Sequence, residues 1–164
     1  LNDVPPVIVD VPWNDPRAIE LRDRMDAEMS VRYGIDGTED PAISAERSRV
    51  LALTGDTVVA TVLALDENGA AIGHAALRTR GDALEIKKVV VDPAARGRGV
   101  GIAVMAAIEE RARRAGASRV ILQTGAAQPE AIALYGKLGF TPIPVYEPYR
   151  ATMPNSLCFE KLLG

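Results

Sequence analysis

The stretch that decides the fold is Val91-Asp92-Pro93-Ala94-Ala95-Arg96-Gly97-Arg98-Gly99-Val100-Gly101-Ile102. It opens at the end of an apolar run, Ala83 to Val91, that reads as a strand. Asp92-Pro93 stops that strand, because proline cannot donate to a ladder. It closes on an apolar helix predicted from about Val100 to Ala115, with Gly116 suited to the position just past the helix end. Gly97, Gly99 and Gly101 stand between, with Arg96 and Arg98. A helix N-terminus presents about four unpaired N–H groups and the positive end of its dipole, so it attracts anions. Glycines let the backbone approach a phosphate closely, and the two arginines add charge. By its chemistry the loop is a pyrophosphate cradle; a plain glycine-rich turn is the bland alternative. A Rossmann fingerprint would need glycine where Ile102 stands, and a Walker loop would need Gly-Lys-Ser/Thr, which is absent.

Working outward, the chain before this loop reads as an antiparallel meander of three strands. Val58, Val59, Val62, Leu63 and Leu65 mark the first strand and Asp66 to Gly69 its turn. Ala71 to Arg78 returns, Arg80-Gly81-Asp82 turns again, and Ala83 to Val91 is the third strand. Further upstream, Val7 to Val11 suits an edge or first strand. Asp15-Pro16 reads as an N-cap and first helical residue. Ile19, Leu21, Met25, Met29 and Val31 then give an amphipathic helix ending near Tyr33-Gly34. Asp36 to Thr54 is mixed, with room for a short second helix. Downstream come a strand from Arg119 to Gln123, a helix from Pro129 to Leu138 stopped by Gly139, and a last strand from Ser156 to Leu162. Strand–helix–strand–helix after a meander means a mixed α/β fold. No repeat, low-complexity segment or linker divides the 164 residues, a length suited to one domain.

Composition narrows the chemistry. Apolar residues make up 48% and charged residues 25%, as in an ordinary folded chain. A single cysteine, Cys158, excludes an internal disulfide and a multi-cysteine zinc site. A single histidine, His74, excludes a multi-histidine metal centre and offers only one base to a Ser-His-Asp arrangement. No apolar run approaches the roughly 20 residues that span a membrane, and no signal-peptide pattern opens the chain. The expectation is a cytoplasmic protein with no membrane partner and no metal. Residues 1–82 hold 15 acids and 8 Lys+Arg, while residues 83–164 hold 7 acids and 11 Lys+Arg. Either these are solvated faces, or the second half meets an anion and the first something cationic or neutral. A net charge of −3 and few aromatics argue against nucleic-acid binding.

Two motifs carry a resemblance. Val91-Asp92-Pro93 followed by Arg96-x-x-Gly99-x-Gly101 resembles the acetyl-CoA motif of the GNAT N-acetyltransferase superfamily, Q/R-x-x-G-x-G/A. Ala131-Ile132-Ala133-Leu134-Tyr135-Gly136-Lys137-Leu138-Gly139-Phe140 is similar to the family's A-x-x-L-Y-x-K-x-G-F segment. The resemblance is specific over Glu85 to Phe140. It implies a central, mostly antiparallel twisted sheet with helices on both faces, splayed into a V-shaped cleft for acetyl-CoA. Residues 83–140 would form the acetyl-CoA core and residues 1–50 a variable acceptor side. It further implies that the backbone around Val89, Val90 and Val91 pairs with the pantetheine arm like an added strand, one N–H polarising the thioester carbonyl. Arg96, Gly97, Arg98, Gly99, Val100, Gly101 and Ile102 would hold the pyrophosphate. Gln128 stands where the family often has asparagine, offering the same amide one methylene further out.

Acetyl transfer to an amine needs a proton removed from the ammonium, an oxyanion stabilised and a thiolate released. Glu85, six residues before Val91 and eleven before Arg96, matches the catalytic glutamate of the histone-acetylating branch and is the candidate base, directly or through water. Its plain alternative is a surface glutamate paired with Lys87 on the same strand face. Tyr135 matches the family's general acid, and a phenol suits a departing thiolate. His74 is most simply a surface or packing residue, and Cys158, Trp13, Met25 and Met29 are most simply core. Asp26 and Glu28 are candidates for holding an amine. Pro142 to Pro154 reads as a proline-stiffened loop with exposed aromatics that walls the acceptor pocket or merely caps the surface, with Arg150 placed to bind an acceptor carboxylate. The expected activity is acetyl transfer from acetyl-CoA to a small-molecule primary amine by direct attack, in a chain that the resemblance allows to be a homodimer. A protein or peptide acetyltransferase, a non-catalytic acyl-CoA sensor and a mononucleotide-binding domain are the alternatives.

Overall fold

A computed structural model describes residues 4–164. Seven strands make one sheet, in the order β1 (Val7–Asp10), β2 (Val58–Leu65), β3 (Ala71–Arg80), β4 (Ala83–Val91), β5 (Arg119–Thr124), β7 (Leu157–Leu162), β6 (Thr141–Ile143). Every neighbouring pair is antiparallel except β4 and β5. The meander is β2–β3–β4, and the expected first strand is an edge.

Helices cover both faces, which explains why β2 is apolar without alternation: Thr61, Val62, Leu63 and Ala64 are all buried. On one face lies α3 (Val100–Arg114), whose Val104, Met105 and Ile108 pack with Val62, Leu77 and Ile86. α4 (Pro129–Lys137) adds Leu134 and Tyr135 to the same cluster. On the other face α1 (Pro16–Arg32) sets Ala18 and Leu21 against Leu63 and Val90. α1 starts as its sequence dictates, the Asp15 carboxylate accepting the Arg17 N–H at 2.8 Å with proline at the first turn. The low-propensity stretch after it does hold a helix, α2 (Pro41–Leu51), capped by Asp40.

Two irregularities shape the site. β4 and β5 pair only at Leu84↔Val120 and Glu85↔Ile121, and then separate. β4 also carries a bulge opposite Ala75: Val90 pairs with His74 and Lys87 with Ala76, while Lys88 takes a left-handed φ of 56°.

The segment expected to be a loop with exposed aromatics is different. Its first residues form β6 against β7, and Tyr149, at the start of a short helix α5 (Tyr149–Thr152), is 0% exposed, with Tyr146 half-buried. Both hydroxyls turn inward because a buried carboxylate, Glu85, lies beneath them and needs donors.

Candidate active site

The parting of β4 and β5 opens a cleft of about 720 Å³ through the sheet. Its walls come from the bulged part of β4 (Ile86, Lys87, Lys88, Val89), the end of β5 and its loop (Gln123 to Gln128), Tyr135 of α4, and the α1–α2 region with Met25, Met29 and Tyr33. The first half of the chain therefore closes one side of the cleft and the second half supplies its floor and far wall.

None of residues 96–102 lines this space, but the Arg/Gly loop lies beside it, tied through Glu28 and Arg32 to the Ala127 carbonyl of the lining, and it has the form that an anion cradle requires. Gly97 and Gly99 both have φ of 79°, a region open to glycine, and a Cβ at either would meet nothing within 4 Å. Gly99 caps α3, so the first N–H groups of that helix, at Val100, Gly101 and Ile102, face outward unpaired. Val100 is anchored in the core, whereas Arg96, Arg98 and Ile102 are exposed. Gly101 has a packing reason as well: a Cβ there would come 3.1 Å from Leu134 Cδ2, which brings α3 and α4 together at the loop. These residues fit a diphosphate. Arg96, however, already has a counter-ion, donating to Glu28 at 2.7 and 3.0 Å.

Glu28 belongs to an ionic strap beside the cleft. It also pairs with Arg32 at 2.8 Å, and Arg32 reaches Glu130 on α4 and the Ala127 carbonyl. The Arg96 guanidinium beside Glu28 holds that carboxyl below its usual range. Glu28 is thus committed to arginines and does not line the cleft, whereas Asp26 does, facing Lys88 at 3.5 Å. Tyr33 lies so close to the β5 loop that a Cβ on Gly125 would sit 1.8 Å from its hydroxyl, and Gln128 Nε2 donates to that oxygen at 3.3 Å.

Of the residues expected on β4, Val89 lines the cleft, Val90 is buried against Leu21, and Val91 is half-buried on the α3 side. The bulge between them is held by His74. Arg22 can only donate, so its contact to Nε2 at 3.0 Å makes that nitrogen the acceptor. Nδ1–H then donates to the Lys88 carbonyl at 2.7 Å. Burial, aided by the Arg22 and Lys88 charges, lowers the His74 pKa to about 4, so the ring is neutral. Arg22 itself rests on Trp13, 3.4 Å from the ring centroid, and donates to the Trp13 carbonyl.

Tyr135 is 6% exposed and packs at a tilt against the Phe140 and Phe159 rings, and its hydroxyl meets no protein partner among the described residues. Burial raises its pKa further, so the phenol keeps its proton. Glu85 departs from the surface alternative: it is 0% exposed. Oε1 accepts from Arg80 Nε and Nη2 at 3.3 and 3.1 Å, and Oε2 from the Tyr146 and Tyr149 hydroxyls at 2.6 and 2.9 Å. Both oxygens are engaged, and the side chain does not line the cleft. Lys87 does line it, and donates to the Tyr149 oxygen at 2.9 Å. Arg150 is exposed beside Glu147 and lies outside the cleft, which removes it as an acceptor contact. Cys158 is buried, burial raises its thiol pKa, and it does not line the cleft. Among the described residues no cluster of His, Cys, Asp and Glu could hold a metal, and no helix is long and apolar enough to cross a membrane.

A sheet parted beside a bulged strand, with a glycine-rich helix N-terminus beside the opening, is the arrangement that the two sequence motifs imply, and comparison with known proteins places the family. The chain belongs to the acetyltransferase (GNAT) family, whose model matches residues 14–140. It is 42% identical over 91 residues to an IAA acetyltransferase of Azospirillum brasilense, a match covering 56% of this chain and 59% of that protein, so the shared stretch is less than two thirds of the relative. A protein designated an acyl-CoA N-acyltransferase from Klebsiella pneumoniae superposes over 99% of this chain and 100% of its own, with a TM-score of 0.79 and 28% identity. A streptothricin acetyltransferase of Bacillus anthracis str. Ames, solved in complex with acetyl coenzyme A, shares the fold over 66% of this chain and 64% of its own at a TM-score of 0.57 and 20% identity.

Proposed function

We propose that the chain transfers the acetyl group of acetyl-CoA to a primary amine of a small molecule, by direct attack within a ternary complex. The observation that carries this reading is the cleft itself. One continuous space is lined by Val89 of the bulged strand and by Tyr135, and the Arg96–Ile102 loop lies beside it, tied to its wall through Glu28 and Arg32. Acetyl-CoA supplies the activated acyl group. Arg96, Arg98 and the first N–H groups of α3 hold its diphosphate, and the unpaired edge of β4 from Val89 to Val91 takes the pantetheine arm. Gln128 and Tyr135 complete the contact from the β5 side. Backbone N–H at the bulge polarises the acyl carbonyl, and His74 keeps the bulge in shape.

Tyr135 protonates the departing sulfur, a role suited to a phenol that holds its proton and has no competing protein acceptor. Glu85 receives the acceptor's proton at one remove, along the hydrogen bonds from Lys87 Nζ to the Tyr149 hydroxyl to Oε2: Tyr149 passes its proton to Oε2 and takes one from Lys87, which regains one from the acceptor. Residues 1–50 form the acceptor side with Met25, Asp26 and Met29, within a single domain.

Thiol release from acetyl-CoA tests this, with a panel of amino acids, polyamines, aminoglycosides, arylamines, and lysine and N-terminal peptides. We expect acceptor-dependent release with a small amine, falling about 10- to 10⁴-fold in Tyr135→Phe and in Glu85→Gln while CoA still raises the unfolding temperature. Release with peptides alone would favour the protein-directed alternative. CoA binding without release from any acceptor would favour a sensor.

A further inference from the structure

The floor of the cleft carries more buried positive charge than the protein neutralises. Among the described residues Glu85 is the only carboxylate in its cluster, and Arg80 at 3.1 Å and Arg78 at 3.9 Å already share it. Lys87 is 7% exposed, and among the described residues it has no carboxylate within 4 Å. Its one hydrogen bond goes to a neutral phenol, Tyr149. The neighbouring groups do not change the balance. Tyr146, Tyr149 and Cys158 are held protonated and neutral by burial. Lys88 is matched by Asp26, and Arg47 by Glu39. Burial pushes the Lys87 ammonium down to about 8, which still leaves it mostly charged at pH 7. A buried cation with two idle N–H donors on the wall of an open cleft is costly unless an anion arrives.

We propose that Lys87 binds an anionic oxygen group, carboxylate or phosphate, carried by the amine acceptor, so that the acceptors are zwitterionic amines such as amino acids and aminoalkyl phosphates. The Lys87 ammonium donates to that group, and Arg78 and Arg80 reinforce the field behind it. The amine end of such a molecule is left to the Asp26, Met25 and Met29 side of the cleft. This assignment rests on the transferase reading and deepens it.

The test uses amines that differ only in charge: 4-aminobutyrate against 4-aminobutanamide, and phosphoethanolamine against ethanolamine. In the unaltered protein kcat/KM favours the anionic member of at least one pair by about 10- to 100-fold, the ratio a charge-assisted hydrogen bond gives. Lys87→Met brings the ratio to within about threefold of one, and Lys87→Arg, which keeps the charge, retains a clear preference. Unfolding temperatures and CoA protection of both variants establish that they are folded. A ratio near one for both pairs in the unaltered protein overturns the assignment, as does a preference that survives in Lys87→Met. Calorimetric binding of the same pairs, with CoA present, needs no turnover. Selective binding of the anionic member, lost in Lys87→Met, in a protein that transfers nothing would sink the transferase reading and keep this one. Transfer to neutral amines alone would do the reverse.

Discussion

His74 shows how one side chain couples the protonation state of the fold to the shape of its site. Its folded pKa of about 4 lies below the unfolded 6.5, so between these values the unfolded chain binds a proton that the folded one refuses. The contribution is complete above pH 6.5 and is lost as pH falls, about 2 kcal/mol by pH 5 and about 3 kcal/mol at pH 4. Because this is the only histidine in the chain, it dominates the pH dependence of urea unfolding between pH 7 and 5, with the ion-paired carboxylates adding to it only toward the acid end. His74→Gln is expected to flatten that dependence and to loosen the bulge, raising KM for acetyl-CoA. Little of this was legible beforehand: the sequence marked His74 as a surface or packing residue, and only pairing across the sheet brings it to the Lys88 carbonyl, fourteen residues away. The spacing of Glu85 marked it as the candidate base through the family resemblance. Its burial was not legible, since Arg80 reaches it across the preceding hairpin and Tyr146 and Tyr149 from a segment some sixty residues downstream.

At the scale of elements, α3 is fixed by a missing side chain beneath it. Where it crosses β3, a Cβ on Gly73 would lie 2.6 Å from Val100 Cγ1, 3.1 Å from Val104 Cγ1 and 3.2 Å from the Ala64 Cβ. Gly73→Ala must therefore lift the first turn of α3, the turn that offers its N–H groups beside the cleft. We expect a loss of about 1–3 kcal/mol in denaturant unfolding, the usual cost of overpacking, together with weaker CoA binding. The strand–loop–helix around Arg96 was readable in the sequence because periodicity, proline and glycine all agree there. The segment from Pro142 to Pro154 was not. Its prolines hide a short strand and a helical turn, and tyrosines look the same whether they point to water or to a buried carboxylate.

At the scale of the whole molecule, the two lips of the cleft are tied by Glu28, with Arg96 on one side and, through Arg32, Glu130 on the other. A diphosphate arriving at Arg96 exchanges one counter-ion for another. Glu28→Gln is accordingly expected to tighten CoA binding several-fold, by about 3- to 10-fold at low salt, and to steepen its fall with ionic strength. Titration at two salt concentrations checks this, and unchanged affinity would mean that the pair is idle.

The parting of β4 and β5 has one more consequence. It divides a seven-stranded sheet into a four-stranded and a three-stranded leaf joined by two residue pairs, and leaves each leaf an unfinished inner border. On the outside of a protein such borders recruit other chains and seed aggregates. Here α1 and α3 roof them from either side, so the same bare backbone is offered only to a guest slender enough to thread between the leaves. Selection by width precedes any selection by charge, and a chain whose roof is loosened should become sticky before it becomes inactive.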